Sequence, residues 1–172
     1  MKVMQASPGL ATRADGLRAL RVNTLTTSVA EHPFVAGMKP AHVEILCECG
    51  MQTEFLDGQL IFREGDLANR FYLLEEGSVA LESHSSDGRV ALIEVLGRGD
   101  VLGWSWLFPP YYWHFDARAL KPTRAIFFYG TRLRTQCDED HDFGYELIKL
   151  MAAVVVRRMQ AAREQVVGSN RK

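Results

Sequence analysis

The chain has 172 residues, 47% of them hydrophobic, which is enough to bury one good core but short for two domains. Its formal net charge of −1 argues against a polyanion-binding protein, so we expect no direct binding to DNA. The sequence shows neither an apolar signal block nor a run of about 18 uncharged apolar residues, so we expect a cytoplasmic protein without membrane insertion.

The first part of the chain predicts a β scaffold preceded by a short helix. Residues 1–30 mix Ser, Thr, Gly and charge, and we expect an extension that is partly mobile. Pro40 suits the first turn of the short packing helix that follows. Apolar residues then alternate in short runs, and turn signals such as Asp57-Gly58 recur every ten residues or so. This pattern predicts about eight strands in a sandwich or barrel.

The stretch from Gly99 to Arg118 interrupts the strands with aromatic rings, two prolines, a His and an Arg. Because Pro109 and Pro110 cannot donate to a strand ladder, an irregular loop is predicted there. Strands resume over 116–120 and 124–129. We expect the loop to form a pocket that the C-terminal helix closes.

The last long segment predicts an amphipathic helix whose apolar residues recur at spacings of three and four. Its stripe is wider than one-sided packing needs, and small residues near its end allow a second helix to approach closely. We therefore expect a homodimer, and Gly168 is expected to end the helix. The predicted dimer interface consists of Leu147, Leu150, Met151, Val154, Val155, Arg158, Ala161 and Ala162.

Five segments, taken in order and spacing, resemble the cyclic nucleotide-binding domain of the Crp/Fnr family: HPFVAGM, GQLIFREGD, ANRFYLLEEGSVAL, GRGDVLG and VVRRMQ. The resemblance implies a mainly β fold, a jelly-roll (double-stranded β-helix) barrel with flanking helices. It also implies a cyclic-nucleotide pocket and dimerisation along the terminal helix. The expected division is an extension (1–30), a barrel with its lead-in helix (31–141), a dimerisation helix (142–167) and a tail (168–172).

Crp/Fnr regulators continue from this helix into a winged helix-turn-helix of several tens of residues. Here Gly168 to Lys172 follow the predicted helix, so we expect a stand-alone regulatory domain without a DNA-binding domain. Such a domain would pass its signal to an unidentified partner protein. A weaker hypothesis is that it acts by pairing with a full-length DNA-binding relative.

The resemblance also implies where a ligand would be held, and the chain departs from the family at those positions. Where ligand-binding members carry Gly-Glu, with the Glu on the ribose hydroxyl, this chain has Gly103-Trp104. Around the place of the family's phosphate-binding Arg it has Tyr112 to Phe115. Each lost charge-assisted hydrogen bond costs about 1.5–3 kcal/mol. Binding of cAMP in the usual manner is therefore not expected.

Other groups near the loop offer replacements for the missing contacts. Aromatic rings stack on a planar ligand at about 1–3 kcal/mol per base, and hydroxyl, imidazole, guanidinium and backbone N–H groups donate to an anion. The candidate ligand is a cyclic nucleotide or another small nucleotide-like molecule, and no cofactor is certain. The predicted ligand-binding residues are Gly103, Trp104, Ser105, Trp106, Tyr112, His114 and Arg118.

Two hypotheses stay open at this point. In the first, the chain is a dimeric small-molecule sensor with an altered ligand preference. In the second, Trp104, Trp106 and Trp113 fill the pocket and the chain is a ligand-free interaction module that regulates a partner. Arg118 likewise has an alternative role, an ion pair with Asp116 or a neighbouring residue.

The sequence predicts neither a metal site nor an enzyme. Cys47 and Cys49 are one residue apart on a predicted helix, so their side chains point in different directions and do not share a metal. The acidic residues between Cys137 and His141 suit a helix N-terminus without a metal. A nucleophile elbow, a P-loop and a dinucleotide fingerprint are all missing.

Overall fold

The computed structural model describes residues 24–85 and 87–169, so the predicted mobility of the N-terminal extension falls mostly outside the described residues. Helix α1 (24–31) leads into a 3-10 turn at Pro33–Val35. The remaining elements are α2 (Pro40–Glu48), β1 (Gly50–Phe55), β2 (Leu60–Phe62), β3 (Arg70–Glu76), β4 (Ser78–His84), β5 (Val90–Gly97), β6 (Val101–Leu102), β7 (Asp116–Ala119), β8 (Thr123–Tyr129), α3 (Gly130–Glu139) and α4 (His141–Ser169).

The strands form two four-stranded antiparallel sheets. One has the order β1-β8-β3-β6 and the other the order β2-β7-β4-β5. The helices, including the first half of α4, lie against the first sheet, while the second sheet ends in β5 as an edge strand. The predicted mainly β fold with flanking helices is confirmed.

Two apolar clusters explain why the central strands read as continuous apolar runs. On β3, Phe71 and Leu73 pack with the helices, whereas Tyr72 and Leu74 belong to a cluster between the two sheets. β8 behaves in the same way, with Ile126 facing the helices and Ala125 facing the other sheet. A strand that is buried on both faces needs apolar residues at successive positions.

Helix α4 is anchored to the domain by its first half. Leu147, Met151 and Val154 are buried in the helix-side cluster, which corrects their predicted place in a dimer interface: they are core residues of their own domain. The helix includes Gly168 and extends to Ser169, so Gly168 does not end it. No described helix, α4 included, has the length and hydropathy needed to cross a membrane.

The acidic run that was expected to precede the terminal helix forms the end of another helix. Helix α3 (Gly130–Glu139) packs against α4 and places Leu133 in the helix-side cluster. The expected helix start is nevertheless satisfied at Asp140, whose carboxylate accepts a hydrogen bond from Phe143 N at 3.0 Å. Among the three acidic residues 138–140, Asp140 is therefore the one that has the predicted N-terminal role.

A hydrogen bond between α2 and α4 gives stability a dependence on pH. His42 Nδ1 lies 2.5 Å from Glu146 Oε2, and this hydrogen bond holds the pKa of Glu146 below its ordinary value of 4.5. Glu146→Gln is therefore expected to lower the free energy of unfolding by about 1 kcal/mol near neutral pH. The wild-type advantage should be complete above pH 4.5 and be lost as the pH falls through the lower folded pKa.

Urea unfolding of both proteins between about pH 7 and pH 3 checks this expectation. Glu44→Gln is the matched control, because Glu44 is an exposed carboxylate on helix α2, the helix that carries His42. An advantage over Glu146→Gln that persists undiminished at the acid end would contradict the assigned role.

Candidate functional site

The aromatic loop, residues 103–115, connects β6 to β7 and directs its rings to different places. Gly103 has φ of +85°, and a 3-10 turn over Ser105–Leu107 follows. In a strand, residues two apart would point to the same face. The turn instead separates Trp104 from Trp106.

Trp106 lies in the core. It is completely buried and stacks on Phe71, with ring centroids 5.4 Å apart. Arg134 on α3 donates from Nη1 to the Trp106 carbonyl at 2.5 Å, and its guanidinium lies 4.5 Å from the centre of the Tyr111 ring. Trp106 therefore anchors the loop to the helices, and its predicted contact with a ligand is replaced by contacts within the core.

Trp113 fills the space beside the Gly103 turn. Its ring stacks on Phe62 at 3.8 Å with an interplanar angle of 11°, and only 5% of the residue is exposed. A Cβ added to Gly103 would lie 2.8 Å from this ring. Gly103 is therefore covered on that side by the chain's own tryptophan.

Three of the predicted ligand-binding residues do come together. The half-buried Trp104 ring stacks on His114, with centroids 5.2 Å apart, and Ser105 Oγ lies 3.0 Å from His114 Nδ1. Tyr112 stands apart from this cluster, where it is 45% exposed and forms an isolated β-bridge with Leu67.

Arg118 lies on the outer face of its sheet. Its neighbours Ala117 and Ala119 on β7 are completely buried, so the alternating side chain of Arg118 points away from the interior. Its Nε donates to Glu82 Oε2 at 3.3 Å and its Nη1 to the Gly58 carbonyl at 3.2 Å. Arg118 therefore has the alternative role predicted for it, an ion pair with a neighbouring residue in place of a contact with a ligand.

A cavity of about 270 Å³, called the α4 cavity below, lies between the second sheet, the aromatic loop and α4. The sheet and the loop supply two walls, and the second half of α4 supplies the third. Its lining residues are Leu81, Ile93, Glu94, Trp104, Phe115, Val155, Arg158, Met159, Ala161 and Ala162.

One ion pair crosses this cavity lining. Arg158 Nε lies 3.4 Å from Glu94 Oε2 on β5, and Arg158 Nη2 donates to the Val101 carbonyl on β6. Burial lowers the pKa of Arg158, while Glu94 and Asp100 oppose that shift. Arg158 therefore ties α4 to two strands, whereas it was predicted to face a second subunit.

Glu94 is not among the site residues predicted from the sequence, and its pairing with Arg158 was missed. The available signal was Arg158 itself, a charged residue within an apolar stripe at helical spacing. A charge in such a position needs a partner across the interface. Which strand supplies that partner depends on tertiary packing, which periodicity alone does not provide.

The cysteines lie outside this site. Cys49 is buried and Cys47 half-buried. The pKa of the Cys137 thiol is raised to about 11 by burial and by nearby Asp138. Within the described residues, no group of three or more His, Cys, Asp or Glu side chains is arranged to hold a metal ion.

The family model for the cyclic nucleotide-binding domain matches residues 52–140 of this chain. The chain belongs to the cyclic nucleotide-binding domain family. This family is regulatory, and the match includes the strands and the aromatic loop but ends before α4. A CRP-like cAMP-activated global transcriptional regulator from Mycobacterium tuberculosis is 24% identical over 116 residues, which cover 67% of this chain and 52% of that relative.

Solved structures share the fold of this cyclic nucleotide-binding domain. A cyclic nucleotide-binding domain from Methylobacillus flagellatus has a TM-score of 0.73 at 14% identity and covers 86% of this chain and 83% of that one. The regulatory subunit of a cAMP-independent protein kinase A from Trypanosoma brucei has a TM-score of 0.67 at 20% identity, with coverages of 91% and 54%. The domain spans about half the length of the curated relatives it matches.

Proposed function

We propose that this chain is a dimeric regulatory sensor domain in which a small molecule bound in the α4 cavity changes how α4 packs. The signal then passes through α4, or through the rim of the cavity, to a partner protein. A ligand shifts such an equilibrium only by its difference in affinity for the two arrangements of the helix.

The contact made by Arg158 is the observation that carries this proposal. Up to Val154 the helix is held by buried apolar side chains, but between residues 155 and 164 no side chain is fully buried. Arg158 ties this second half of α4 to β5 and β6 inside the cavity lining. A ligand that contacts Arg158 therefore acts directly on the least anchored part of the helix.

A ligand other than cAMP fits the loop better. Trp113 covers one side of the Gly103 turn, and Trp104 lines the cavity at the position of the family's ribose-binding Glu. Proteins described both as cAMP-activated and as cAMP-independent occur among the relatives and fold neighbours. Departure from cAMP binding is thus compatible with the family and the fold.

The dimer is supported by a stripe of exposed and half-buried apolar residues on α4. Its members are separated alternately by three and four residues, the spacing of a coiled-coil seam. They lie on a different side of the helix from the buried anchors, and Val155, Met159 and Ala162 also border the α4 cavity. The stripe consists of Tyr145, Ile148, Ala152, Val155, Met159 and Ala162.

The second candidate function, a ligand-free interaction module, is favoured by Trp106 and Trp113. Both rings are buried within the domain and stack on Phe71 and Phe62 respectively. In this second function the remaining loop side chains close over the α4 cavity, as Trp106 and Trp113 close the space beside them. The domain then has no room for a small molecule and recognises a partner protein.

Titration of the purified protein with cAMP, cGMP and a set of other nucleotides, followed by tryptophan fluorescence and calorimetry, tests the sensor proposal. For any nucleotide that binds, we expect Arg158→Ala to weaken binding by at least about 10-fold, because one charge-assisted contact to the anion is lost. Arg118→Ala is the matched control and should leave affinity unchanged, since Arg118 lies on the outer face.

The reverse pattern, with sensitivity to Arg118 and none to Arg158, would place the site outside the α4 cavity. A flat response to every nucleotide and to the aromatic probes described below, from protein that stays folded, would favour the interaction module.

A further inference from the structure

The charges in the α4 cavity already compensate one another. Among its described lining residues the charged ones are Glu94 and Arg158, which form the 3.4 Å ion pair. Arg158 also donates to the Val101 carbonyl. Their side chains are only 31% and 17% exposed, so solvent screens the pair incompletely.

This compensation disfavours an anionic ligand. An anion that approaches Arg158 must either displace the Glu94 carboxylate or lie beside it as a like charge. A displaced Glu94 would lose its partner in a partly buried position, which is costly.

The remaining walls suit a flat apolar molecule. Trp104 presents an indole ring, and Phe115, Ile93 and Met159 supply further apolar surface. A dry apolar cavity of about 150 Å³ holds one benzene molecule. The α4 cavity, at about 270 Å³, is therefore of the size that a two-ring aromatic compound needs.

We propose that the α4 cavity selects uncharged, planar, two-ring aromatic compounds carrying one hydrogen-bond donor, and that Glu94 provides both the acceptor and the discrimination against anions. The carboxylate keeps one oxygen on Arg158 and offers the other to the donor group of the ligand. This inference rests on the proposed sensor function, since it names the ligand class of the same cavity.

The test uses 2-naphthol and 2-naphthoate, which share a ring system but differ in charge at neutral pH. Calorimetry on the full chain should show 2-naphthol binding at least about 10-fold more tightly than 2-naphthoate, the factor expected for one unfavourable charge contact. In Glu94→Gln, Arg158 loses its compensating charge and the order should reverse by a similar factor.

Glu82→Gln is the matched control. It removes the carboxylate from the Arg118 ion pair on the outer face of the same sheet, and it should leave both affinities unchanged. The wild-type comparison stands by itself if Glu94→Gln fails to fold.

The possible failures separate the two proposals. Equal or tighter binding of 2-naphthoate by the wild type overturns the inference while leaving a working sensor. Binding of a nucleotide without binding of 2-naphthol does the same. If neither naphthalene compound nor any nucleotide binds the folded protein, both the inference and the sensor function are overturned.

Discussion

Replacement of Trp106 by alanine is expected to lower the free energy of unfolding by about 3–5 kcal/mol, the range for truncating a large buried aromatic side chain. The ring is completely buried, stacks on Phe71 and contacts the start of α3, where a Cβ added to Gly130 would lie 3.0 Å from Trp106 Cε3. The resulting cavity borders a sheet and a helix, and these elements cannot both collapse into it. Urea unfolding followed by circular dichroism measures the change.

Trp104→Ala is the matched control, because it removes the same side chain two residues away. Trp104 is half-buried and lines the α4 cavity, so we expect a loss of only about 1 kcal/mol. It should, however, weaken any ligand that stacks in the cavity. Equal losses of stability in the two variants would contradict the separation of core and cavity described above.

The β scaffold was predictable because its signals are local. Alternating apolar residues and Gly-containing turns mark the strands without any knowledge of packing. Gly77 shows why the turn signals are dependable: its φ is +102°, and a Cβ there would lie 2.6 Å from the backbone of Thr123. Another residue at such a position would be strained both by conformation and by contact.

Helix α3 was missed because it carries little apolar periodicity. Of its residues only Gly130 and Leu133 are fully buried, and its polar side chains suit an exposed segment equally well. The helix forms because Leu133 packs against the helix-side cluster and Arg134 holds the aromatic loop. Those contacts are between elements distant in sequence, so a local pattern does not contain them.

The candidate site was predictable only in part, for the same reason. Trp104, Ser105 and His114 do lie together, as expected from their place in the loop. Arg118 could have been placed on the outer face from its alanine neighbours, since small apolar residues on both sides mark the inward positions of β7. The pairing of Arg158 with Glu94, by contrast, depends on how α4 crosses the second sheet.

Met159→Glu is expected to convert the proposed dimer into a monomer. Met159 is 64% exposed and lies in the C-terminal half of the apolar stripe on α4. In a symmetric dimer the substitution brings two carboxylates to the seam and removes two apolar side chains from it. The dimer dissociation constant should therefore rise by at least about 100-fold. Sedimentation velocity over a range of protein concentrations measures it.

Gln160→Glu adds the same charge at the next position, which is exposed and rotated by about 100° from the stripe, so the dimer should persist. The stability of the folded domain should change little in either variant, because both side chains are largely exposed to solvent. Ile148→Ala should weaken the dimer in the same sense, whereas Leu147→Ala, at the adjacent but completely buried position, should instead destabilise the monomer fold. If Met159→Glu leaves the dissociation constant unchanged, the stripe is not the interface and the second half of α4 is free to respond to the cavity within a single subunit.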